Sequence, residues 1–479
     1  MMLKSSLCFM KSAVVATLLT GTVLAPAISL SSPAIAQDDK AKIQRLNGED
    51  LYTELDVLIR VLKHMREDYV DQNIDDRKAI EAAIQAMLKS LDPHSNYINM
   101  DDLKDVTMQV RGEYGGLGIE VSEDKDVVKV VSPIDDTPAA KAGLKANDYI
   151  TRINGEDILG KGLDYAISKM RGAVGEPITI TIVRMGTKEP FDVRLVRDKI
   201  KLRPTRHRVE DDTIGYIRIS TFNMQTWPGL KEAIEKLKEE LGDKMQGVVL
   251  DLRNNPGGLL SQAIKVSDTF LTAGEIVSTR GRHRTDNEVW FADYKGYCMP
   301  GKFCDTVKGD MLDGLPMVVL TNAGSASASE IVAGALQDHR RAIVLGDRSF
   351  GKGTVQSQYR IFNRALRLTT ARYYTPSGNS IQGRGIEPDI EVLFPSERRY
   401  KMRREADLRN TISNDTKDYE RAGEVDEIKI DKDAKIEPAK EDIQLKYAVK
   451  LLKGLYASPV ATTVAKADTG KDAAKTEKQ

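Results

Sequence analysis

The sequence predicts a multi-domain α/β protein with helical segments at both ends. One observation is the alternation of strand-like and helix-like apolar segments between residues 214 and 346, which is typical of a sheet layered with helices. Another is the length of 479 residues, which exceeds that of a single ordinary domain. The third is a change near residue 108, where the spacing of apolar residues passes from a helical to a strand period.

Residues 1–36 have the pattern of a secretory signal peptide. Lys4 and Lys11 accompany the apolar run AVVATLLTGTVLA, and Ala34 and Ala36 form an A-x-A cleavage site. An uncleaved N-terminal anchor is the alternative, although the run is short for a membrane span. We therefore expect export to a bacterial periplasm, with membrane association if the segment is retained.

Residues 37–107 are predicted to be a helical region. LYTELDVLIRVLKHMREDY and RKAIEAAIQAMLKSL carry apolar residues at helical spacing, and Pro93 interrupts the pattern. An amphipathic arm needs something to cover its apolar face. A homo-oligomer built through the terminal helices is one way to cover it.

Residues 108–197 are predicted to form a small mixed domain. The glycine-rich EYGGLGIEV leads into strands, and TPAAKAGL and DYAISKM have helical spacing. Asn154-Gly155 is a hairpin signal between the following strands.

Residues 198–395 are predicted to form the α/β core. IGYIRIST, GVVLDLR, PMVVLTN and AIVLGD are strand-like, and continuous apolar runs are typical of a sheet covered on both faces. Residues 282–315 interrupt the alternation and are predicted to be an inserted loop. Residues 396–479 are highly charged, with DIQLKYAVKLLKGL as a last helix and a tail whose composition indicates disorder.

The composition excludes several classes of partner and site. Lys+Arg and Asp+Glu both number 71, so no basic excess points to nucleic acid. The five histidines are scattered without an HExxH motif, which gives zinc hydrolysis little support. Cys298 and Cys304, the pair left after removal of the signal segment, can close a disulfide in an exported chain or remain free thiols.

The segment AGSASASE at 323–330 places three serines between a predicted strand and a predicted helix. Ser325, Ser327 or Ser329 could simply cap the helix. Ser327, in the middle, could instead be a nucleophile, because a helix N-terminus offers unpaired N–H groups to a developing oxyanion.

A serine nucleophile needs a neighbouring base. His339 is close in sequence, but it lies about 18 Å further along the helix at 1.5 Å per residue. Lys352, between two glycines in GKGTVQ, is the better candidate if burial lowers its pKa, and Gln356 could hold its amine if the segment is extended. A solvated turn lysine is the ordinary alternative.

The segment DLRNNPGG at 251–258 follows a predicted buried strand. Its Pro-Gly-Gly turn could aim the N–H of Gly257 or Gly258 at an oxyanion. It could also be a plain turn before the next helix.

Taken together and in this order, EYGGLGIEV, DLRNNPGG, GSASASE and GKGTVQ resemble the carboxyl-terminal processing proteases, also called tail-specific proteases, over about residues 48–395. The resemblance implies a PDZ domain and a crotonase/ClpP-like serine-peptidase core. By position it implies Ser327 as nucleophile, Lys352 as general base and Gln356 as its orienting partner. It places the oxyanion hole at the N–H of Ala328 and of one glycine of the turn, and it implies no cofactor.

The resemblance also assigns the small domain. YGGLG is similar to the PDZ loop that grips a peptide C-terminus, formed here by Gly116, Leu117, Gly118 and Ile119. Arg171 resembles an arginine that couples PDZ docking to the active form.

We therefore expect an exported serine endopeptidase that recognises the C-terminal tails of protein substrates, alone or with an adaptor protein. The alternatives are a PDZ scaffold on an inactive or partner-gated core, a Ser-His hydrolase of another bond, and a crotonase-like enzyme. The first conflicts with the residue types at all three catalytic positions. The second needs a histidine beside Ser327 in space, and the third does not explain Lys352.

Overall fold

The computed structural model describes residues 46–124, 126–134, 136–187, 189–292, 309–394, 402–416 and 441–457. The predicted signal peptide, the Cys298–Cys304 pair and the final tail from residue 458 lie outside these residues. The chain divides into two compact units, Met1–Asp76 and Arg77–Gln479. Within the described ranges, no helix combines the length and the apolar character that a bilayer crossing requires.

The α-helices of the described residues are α1 (Gly48–Asp68), α2 (Asp76–Lys89), α3 (Met100–Arg111), α4 (Pro138–Lys141), α5 (Leu163–Met170), α6 (Thr226–Leu241), α7 (Leu260–Asp268), α8 (Ala328–Asp338) and α9 (Ile443–Tyr456). Helix α3 runs past the expected change of period near residue 108, because its apolar residues keep helical spacing up to Val110.

Helix α1 belongs to the first unit. It begins after Asn47, whose side chain accepts a hydrogen bond from the N–H of Asp50 at 2.9 Å. None of its residues is buried, and Leu51, Leu55 and Leu58 are all exposed. Its apolar face is therefore not covered by the described residues of its own unit.

The strands of the described residues are β1 (Asn96–Ile98), β2 (Glu113–Gly116), β3 (Ile119–Asp124), β4 (Val127–Pro133), β5 (Tyr149–Ile153), β6 (Glu156–Asp157), β7 (Pro177–Val183), β8 (Phe191–Val196), β9 (Asp198–Lys201), β10 (Thr205–Glu210), β11 (Ile214–Ile219), β12 (Gly247–Asp251), β13 (Gly274–Gly281), β14 (Val289–Ala292), β15 (Met317–Thr321), β16 (Ile343–Gly346), β17 (Thr354–Ile361), β18 (Arg364–Tyr374) and β19 (Ile390–Glu391).

The small domain is a sheet with strand order β3-β4-β5-β7-β8, and β6 pairs with β5. Its core contains Val130, Ile150 and Ile180, with Ala166 and Met170 of α5 packed against them. Strands β2 and β9, which enter and leave this domain, pair with each other antiparallel. The domain is therefore an insertion whose two connections lie side by side.

The core sheet has the order β10-β11-β12-β15-β16-β19. Strands β11, β12, β15, β16 and β19 are parallel, while β10 is antiparallel to β11. Val248 and Leu250 of β12 face a core shared with α6, α7 and α8, whereas Val249 faces the core shared with α9. This two-sided burial explains the continuous apolar runs in the sequence.

A second sheet contains β1, β18, β13 and β14 in that order, with β17 also paired to β18. Strand β14 lies inside residues 282–315, so the prediction of a single inserted loop is wrong for this part. The strand forms because Val289 to Ala292 pair with β13 and bury Ala292 in the core.

Residues 402–416, in the highly charged C-terminal region, pack against the rest of the second unit. They contain a 3-10 turn, Glu405–Asp407, in which Glu405 is fully buried. Arg404 donates to the Asp347 carboxylate at 2.9 Å and to the carbonyl of Ser349 at 2.7 Å. Long-range pairing therefore draws this charged segment onto the loop after β16.

Candidate active site

Three loops meet at the carboxyl ends of the parallel strands of the core sheet. They are residues 252–259 after β12, 322–327 after β15 and 347–353 after β16. Because β12, β15 and β16 are neighbours in register, their ends lie at one edge of the sheet. This edge is where ligand sites form in parallel α/β sheets.

The three serines of AGSASASE have different surroundings. Ser325 Oγ donates to the carbonyl of Leu252 at 2.8 Å, and Ser329 Oγ donates to the carbonyl of Asn255 at 2.9 Å; both serines are fully buried. Ser327 is half-buried and stands at the N-cap position of α8. The outer two serines thus fasten the loop to the 252–259 turn, and the middle one is accessible.

Ser327 has a strained backbone. Its φ is 54° and its ψ is −111°, which is rare for a residue with a side chain. Such a conformation costs about 1–3 kcal/mol and persists only where the surroundings impose it. Its N–H donates to Glu330 Oε2 at 2.7 Å, which is one of the contacts that hold it.

Glu330 connects the serine loop to the lysine loop. Oε2 of its fully buried carboxylate also accepts the N–H of Lys352 at 2.9 Å. Oε1 accepts the N–H of Gly351 at 2.6 Å and the Ser349 hydroxyl at 2.6 Å. Burial raises the pKa of Glu330 to about 7, while the four donors favour the charged form. Sequence reasoning missed this residue, although a serine followed by a glutamate three residues later is a capping-box signal.

Lys352 lies in the turn before β17, close to four charged groups. Burial lowers the pKa of its amine, and the attraction of Glu405 is the largest opposing influence. Arg367 lowers the pKa further, and Glu330 and Asp92 raise it. Among the described residues no hydrogen bond joins the Ser327 and Lys352 side chains. The loops that carry them are joined instead through their N–H groups on Glu330.

Gln356 lies on β17, but its amide is bonded elsewhere. Nε2 donates to Thr354 Oγ1 at 2.9 Å and to Thr369 Oγ1 at 3.3 Å. The described side chains show no hydrogen bond between Gln356 and Lys352. Strand β17 begins only at Thr354, so the lysine is not on the extended segment that the sequence argument assumed.

The 252–259 turn lies directly against the nucleophile candidate. A Cβ on Gly257 would be 2.8 Å from Ser327 Cβ and 2.9 Å from the nitrogen of Ala328. The N–H of Gly257 already donates to Asn255 Oδ1 at 2.9 Å. In the described part of the chain, the N–H groups of Gly258 and Ala328 donate no hydrogen bond. These two are therefore available to an oxyanion.

His339 and His94 are the histidines that could replace Lys352 as the base. His339 follows the last residue of α8, and its Nε2 donates to the carbonyl of Glu275 at 2.6 Å. His94 lies on the loop before β1, and its Nε2 is 2.9 and 2.8 Å from the two oxygens of Glu405. No hydrogen bond joins a histidine to Ser327 within the ranges described. Sequence reasoning missed His94 and Glu405 because they are 311 residues apart.

A buried ion network supports the start of the 252–259 turn. Asp251 accepts from Arg253 at 2.7 Å and from the Tyr216 hydroxyl at 2.7 Å. Arg253 also donates to Asp442, the N-cap residue of α9, at 2.7 Å. Hydrogen bonds to Arg253 and Tyr216 help to hold the pKa of Asp251 low, although burial alone would raise it.

The glycine-rich loop of the small domain leaves donors free beside an open sheet edge. The N–H groups of Leu117 and Gly118 donate to no other described residue, while their carbonyls accept from Ala139 and Ile134. Strand β3, which begins at Ile119, is an edge strand of its sheet. Gly116 ends β2, and an added peptide strand would find space beside β3.

Arg171 follows the last residue of α5. Its guanidinium lies 5.1 Å from the ring centre of Tyr114 on β2, a cation–π contact between the small domain and its connecting strand. No group of three or more histidine, cysteine, aspartate or glutamate side chains with a metal-binding arrangement occurs in the residues that the structure describes.

Comparisons with known proteins identify the families of both domains. Residues 213–392 match the model of peptidase family S41, and residues 115–195 match that of the PDZ domain. A carboxy-terminal-processing protease of Bartonella bacilliformis is 48% identical over 414 residues, which cover 85% of this chain and 90% of that protein. A probable CtpA-like serine protease of Staphylococcus aureus (strain COL) is 34% identical, over 79% of this chain and 72% of that protein.

Among solved structures, the photosystem II D1 C-terminal processing protease is 26% identical, covers 72% of this chain and 94% of its own, and has a TM-score of 0.39. The PDZ domain of a carboxy-terminal protease from Vibrio cholerae is 27% identical, over 19% of this chain and 99% of its own, with a TM-score of 0.18. The family assignment rests on the 48% identity to the Bartonella bacilliformis protein and not on the structural similarity scores. The chain belongs to peptidase family S41 and is a serine peptidase of the carboxy-terminal-processing type with a PDZ domain.

Proposed function

We propose that this chain is an exported endopeptidase that captures the C-terminal tail of a protein on its PDZ domain and cleaves it with a Ser/Lys mechanism. The observation that supports this best is the single buried carboxylate of Glu330, which accepts N–H groups from both Ser327 and Lys352. One support therefore holds both the strained serine and the half-buried lysine in place.

In the proposed reaction the neutral amine of Lys352 removes the proton of the Ser327 hydroxyl as Oγ attacks the scissile carbonyl. The N–H groups of Ala328 and Gly258 stabilise the oxyanion. The Lys352 ammonium then gives its proton to the leaving amine, and water hydrolyses the acyl-enzyme. Hydrogen bonds between catalytic groups are often long in a free enzyme and tighten with substrate. Gln356 is proposed to orient the amine through its Oε1 when substrate binds, since its Nε2 already donates to Thr354 and Thr369.

The tail of the substrate is proposed to bind in the loop of Gly116, Leu117, Gly118 and Ile119. The free N–H groups of Leu117 and Gly118 suit a terminal carboxylate, and the open edge of β3 suits an extended peptide. Docking would be relayed to the core through Arg171, which contacts Tyr114 on the connecting strand.

The test is cleavage of an unfolded protein with an apolar C-terminal tail. We expect cleavage by the wild type and none by Ser327→Ala or Lys352→Ala, while the exposed control Lys231→Ala stays active. A substrate whose terminal carboxylate is amidated should be cut more slowly. Full activity of Lys352→Ala would refute the Ser/Lys assignment, and full activity of Ser327→Ala would refute the nucleophile.

Export of the chain, its assembly into a homo-oligomer and the delivery of substrates by an adaptor protein are separate parts of the proposal. The N-terminal sequence pattern supports a periplasmic location, which fractionation of cells for the full-length chain tests. The uncovered apolar face of α1 supports a homo-oligomer, and Leu55→Glu with Leu58→Glu should lower the mass seen by light scattering. An adaptor protein would raise the cleavage rate of a tailed substrate above that of the purified enzyme alone.

A further inference from the structure

We propose that Asn223 is a positioning residue for the oxyanion: by packing against Gly112, it fixes the backbone segment that aims the N–H of Gly258. This inference rests on the proposed function, because it takes that N–H as a donor to the oxyanion. It concerns residues 221–226 between β11 and α6, to which the mechanism above gives no role.

Phe222 aims the N–H of Gly258 through backbone pairing. The N–H of Phe222 donates to the carbonyl of Gly257 at 2.9 Å, and its carbonyl accepts the N–H of Leu259 at 2.8 Å. These two hydrogen bonds form a parallel bridge between Phe222 and Gly258. In such a bridge, the residue between the two bonded neighbours directs its own N–H and carbonyl away from the partner. The N–H of Gly258 is therefore turned away from Phe222, which agrees with its lack of an acceptor among the described residues.

The contact between Phe222 and the turn is close. A Cβ on Gly258 would lie 2.1 Å from the carbonyl oxygen of Phe222. The hydroxyl of Thr221 also donates to the carbonyl of Gly257 at 3.2 Å. Any displacement of Phe222 therefore displaces the backbone of Gly257 and Gly258, and Gly257 lies directly against Ser327.

Hydrogen bonds of Asn223 hold residues 221–226 together. Its N–H donates to Thr226 Oγ1 at 2.9 Å, and its carbonyl accepts the N–H of Thr226 at 3.0 Å. Its Oδ1 accepts the N–H of Gln225 at 2.9 Å. Thr226 Oγ1 in turn donates to the carbonyl of Thr221 at 2.9 Å, on the other side of Phe222. We therefore expect Phe222 to follow any movement of Asn223.

The chain that leads into the small domain holds this segment from outside. Asn223 is 2% exposed, and a Cβ on Gly112 would lie 2.7 Å from its Cγ and its Oδ1. Nδ2 of Asn223 is buried and has no hydrogen-bond partner in the described ranges, so packing against Gly112 is what fixes this end of the side chain. The N–H of Met224 donates to the carbonyl of Val110 at 3.1 Å, and the carbonyl of Gly112 accepts the N–H of Leu202 at 2.8 Å. Asn223 is therefore seated where both connections of the small domain meet the core.

Two contacts thus link Gly112 to the oxyanion donor: the packing of Gly112 on Asn223 and the pairing of Phe222 with Gly258. A residue that only stabilised the fold would change the melting temperature. A residue that positions the donor must also change the stability of the tetrahedral state relative to the bound substrate.

The experiment compares the wild type, Gly112→Ala, the double variant Gly112→Ala/Asn223→Ser and the control Gly186→Ala. Gly112 has a φ of 64°, so alanine there is strained as well as crowded; Gly186 has a φ of 91° and nothing near its Cβ, and its variant therefore controls for strain alone. The assays are kcat and KM for the tailed substrate and inhibition by a peptide boronate, whose boron binds the serine oxygen as a tetrahedral anion.

Gly112→Ala should lower kcat at least about tenfold with KM changed less than about twofold, and it should weaken the boronate by the same factor as kcat/KM. The double variant should regain most of the lost kcat, because the shorter serine leaves room for the new Cβ and can still accept the N–H of Gln225. Gly186→Ala should behave as the wild type.

The inference is overturned by wild-type kcat in a folded Gly112→Ala protein, by unchanged boronate binding, or by a double variant no better than the single one. Circular dichroism checks folding. If Gly112→Ala does not fold, Gln225→Ala decides, since it removes only the amide bonds to the Arg111 carbonyl at 3.4 Å and to Glu113 at 3.2 Å. A roughly two- to tenfold lower kcat then supports the inference, and wild-type kcat overturns it.

Hydrogen exchange of peptides that cover residues 220–226 and 255–260 needs no catalysis and separates the two possible failures. Faster exchange of both peptides in Gly112→Ala is the expected result. Wild-type exchange in this variant overturns the inference even where Ser327→Ala and Lys352→Ala have confirmed the proposed function. A wild type that does not cleave refutes the proposed function, and with it the role of Asn223 in catalysis.

Discussion

Replacing Glu330 with glutamine tests whether one carboxylate supports both loops of the proposed active site. The substitution keeps the size and removes the charge. Oε1 and Oε2 each accept two donors, and a glutamine amide offers an acceptor at only one of these positions. Whichever way the amide turns, either Gly351 or Lys352 has its N–H opposite an NH2 group.

The size of the effect follows from that loss. A hydrogen bond to a charged group contributes about 1.5–3 kcal/mol. If the loop opens locally, this loss corresponds to roughly 10- to 100-fold faster exchange of the affected amide. We also expect kcat to fall, because Ser327 loses support for its strained backbone when the amide nitrogen lies at the Oε2 position, and the lysine turn loses support in either orientation.

Hydrogen exchange followed by mass spectrometry on peptides that cover residues 349–353 measures this directly. Glu239→Gln, on the exposed face of α6, is the matched control and should leave exchange and kcat unchanged. Wild-type protection of Gly351 and Lys352 in Glu330→Gln would refute the reasoning, because both bonds would then be dispensable.

Three further predictions follow from the geometry. Burial lowers the pKa of Lys352 from 10.5, and the proposed base is its neutral amine. We therefore expect kcat/KM to rise with pH through a pKa below 10.5, and a profile that falls over this range contradicts the assignment. Gly258→Ala should abolish cleavage and lower the melting temperature, because Gly258 has a φ of 146° and a Cβ there would collide with the Phe222 carbonyl; a wild-type melting curve would count against this. Gly118→Ala should weaken binding of a tail peptide at least tenfold by isothermal calorimetry, since its Cβ would meet the Thr137 side chain, while an untailed peptide should be cut at the wild-type rate.

The strands of the core could be predicted because a strand that is buried on both faces has apolar residues at successive positions. GVVLD of β12 is fully buried and reads as a continuous apolar run. Strand β14 could not be predicted in the same way, since it is short and exposed on alternate residues and depends on its pairing with β13.

The site was predictable only where its residues are neighbours in sequence. The proposed roles of Ser327 and Lys352 follow from local motifs, and they stay a prediction until the variants are assayed. Glu405 gave no signal, because it lies in a highly charged segment and its partner His94 is 311 residues away in the chain. The hydrogen bond from Gln356 to Thr369 was also missed, because Thr369 lies 13 residues away on the next strand.

The side-by-side pairing of β2 and β9 predicts that the PDZ domain can be exchanged as a unit. Gly116 and Asp198 are paired residues, and Cα atoms of paired antiparallel strands are only about 5 Å apart. The intervening segment could therefore be excised and its two ends rejoined by a short turn, without stretching the peptidase. If the PDZ domain selects the substrate as proposed, a different peptide-binding domain at the same junction would change which proteins are cleaved and leave the peptidase core unchanged.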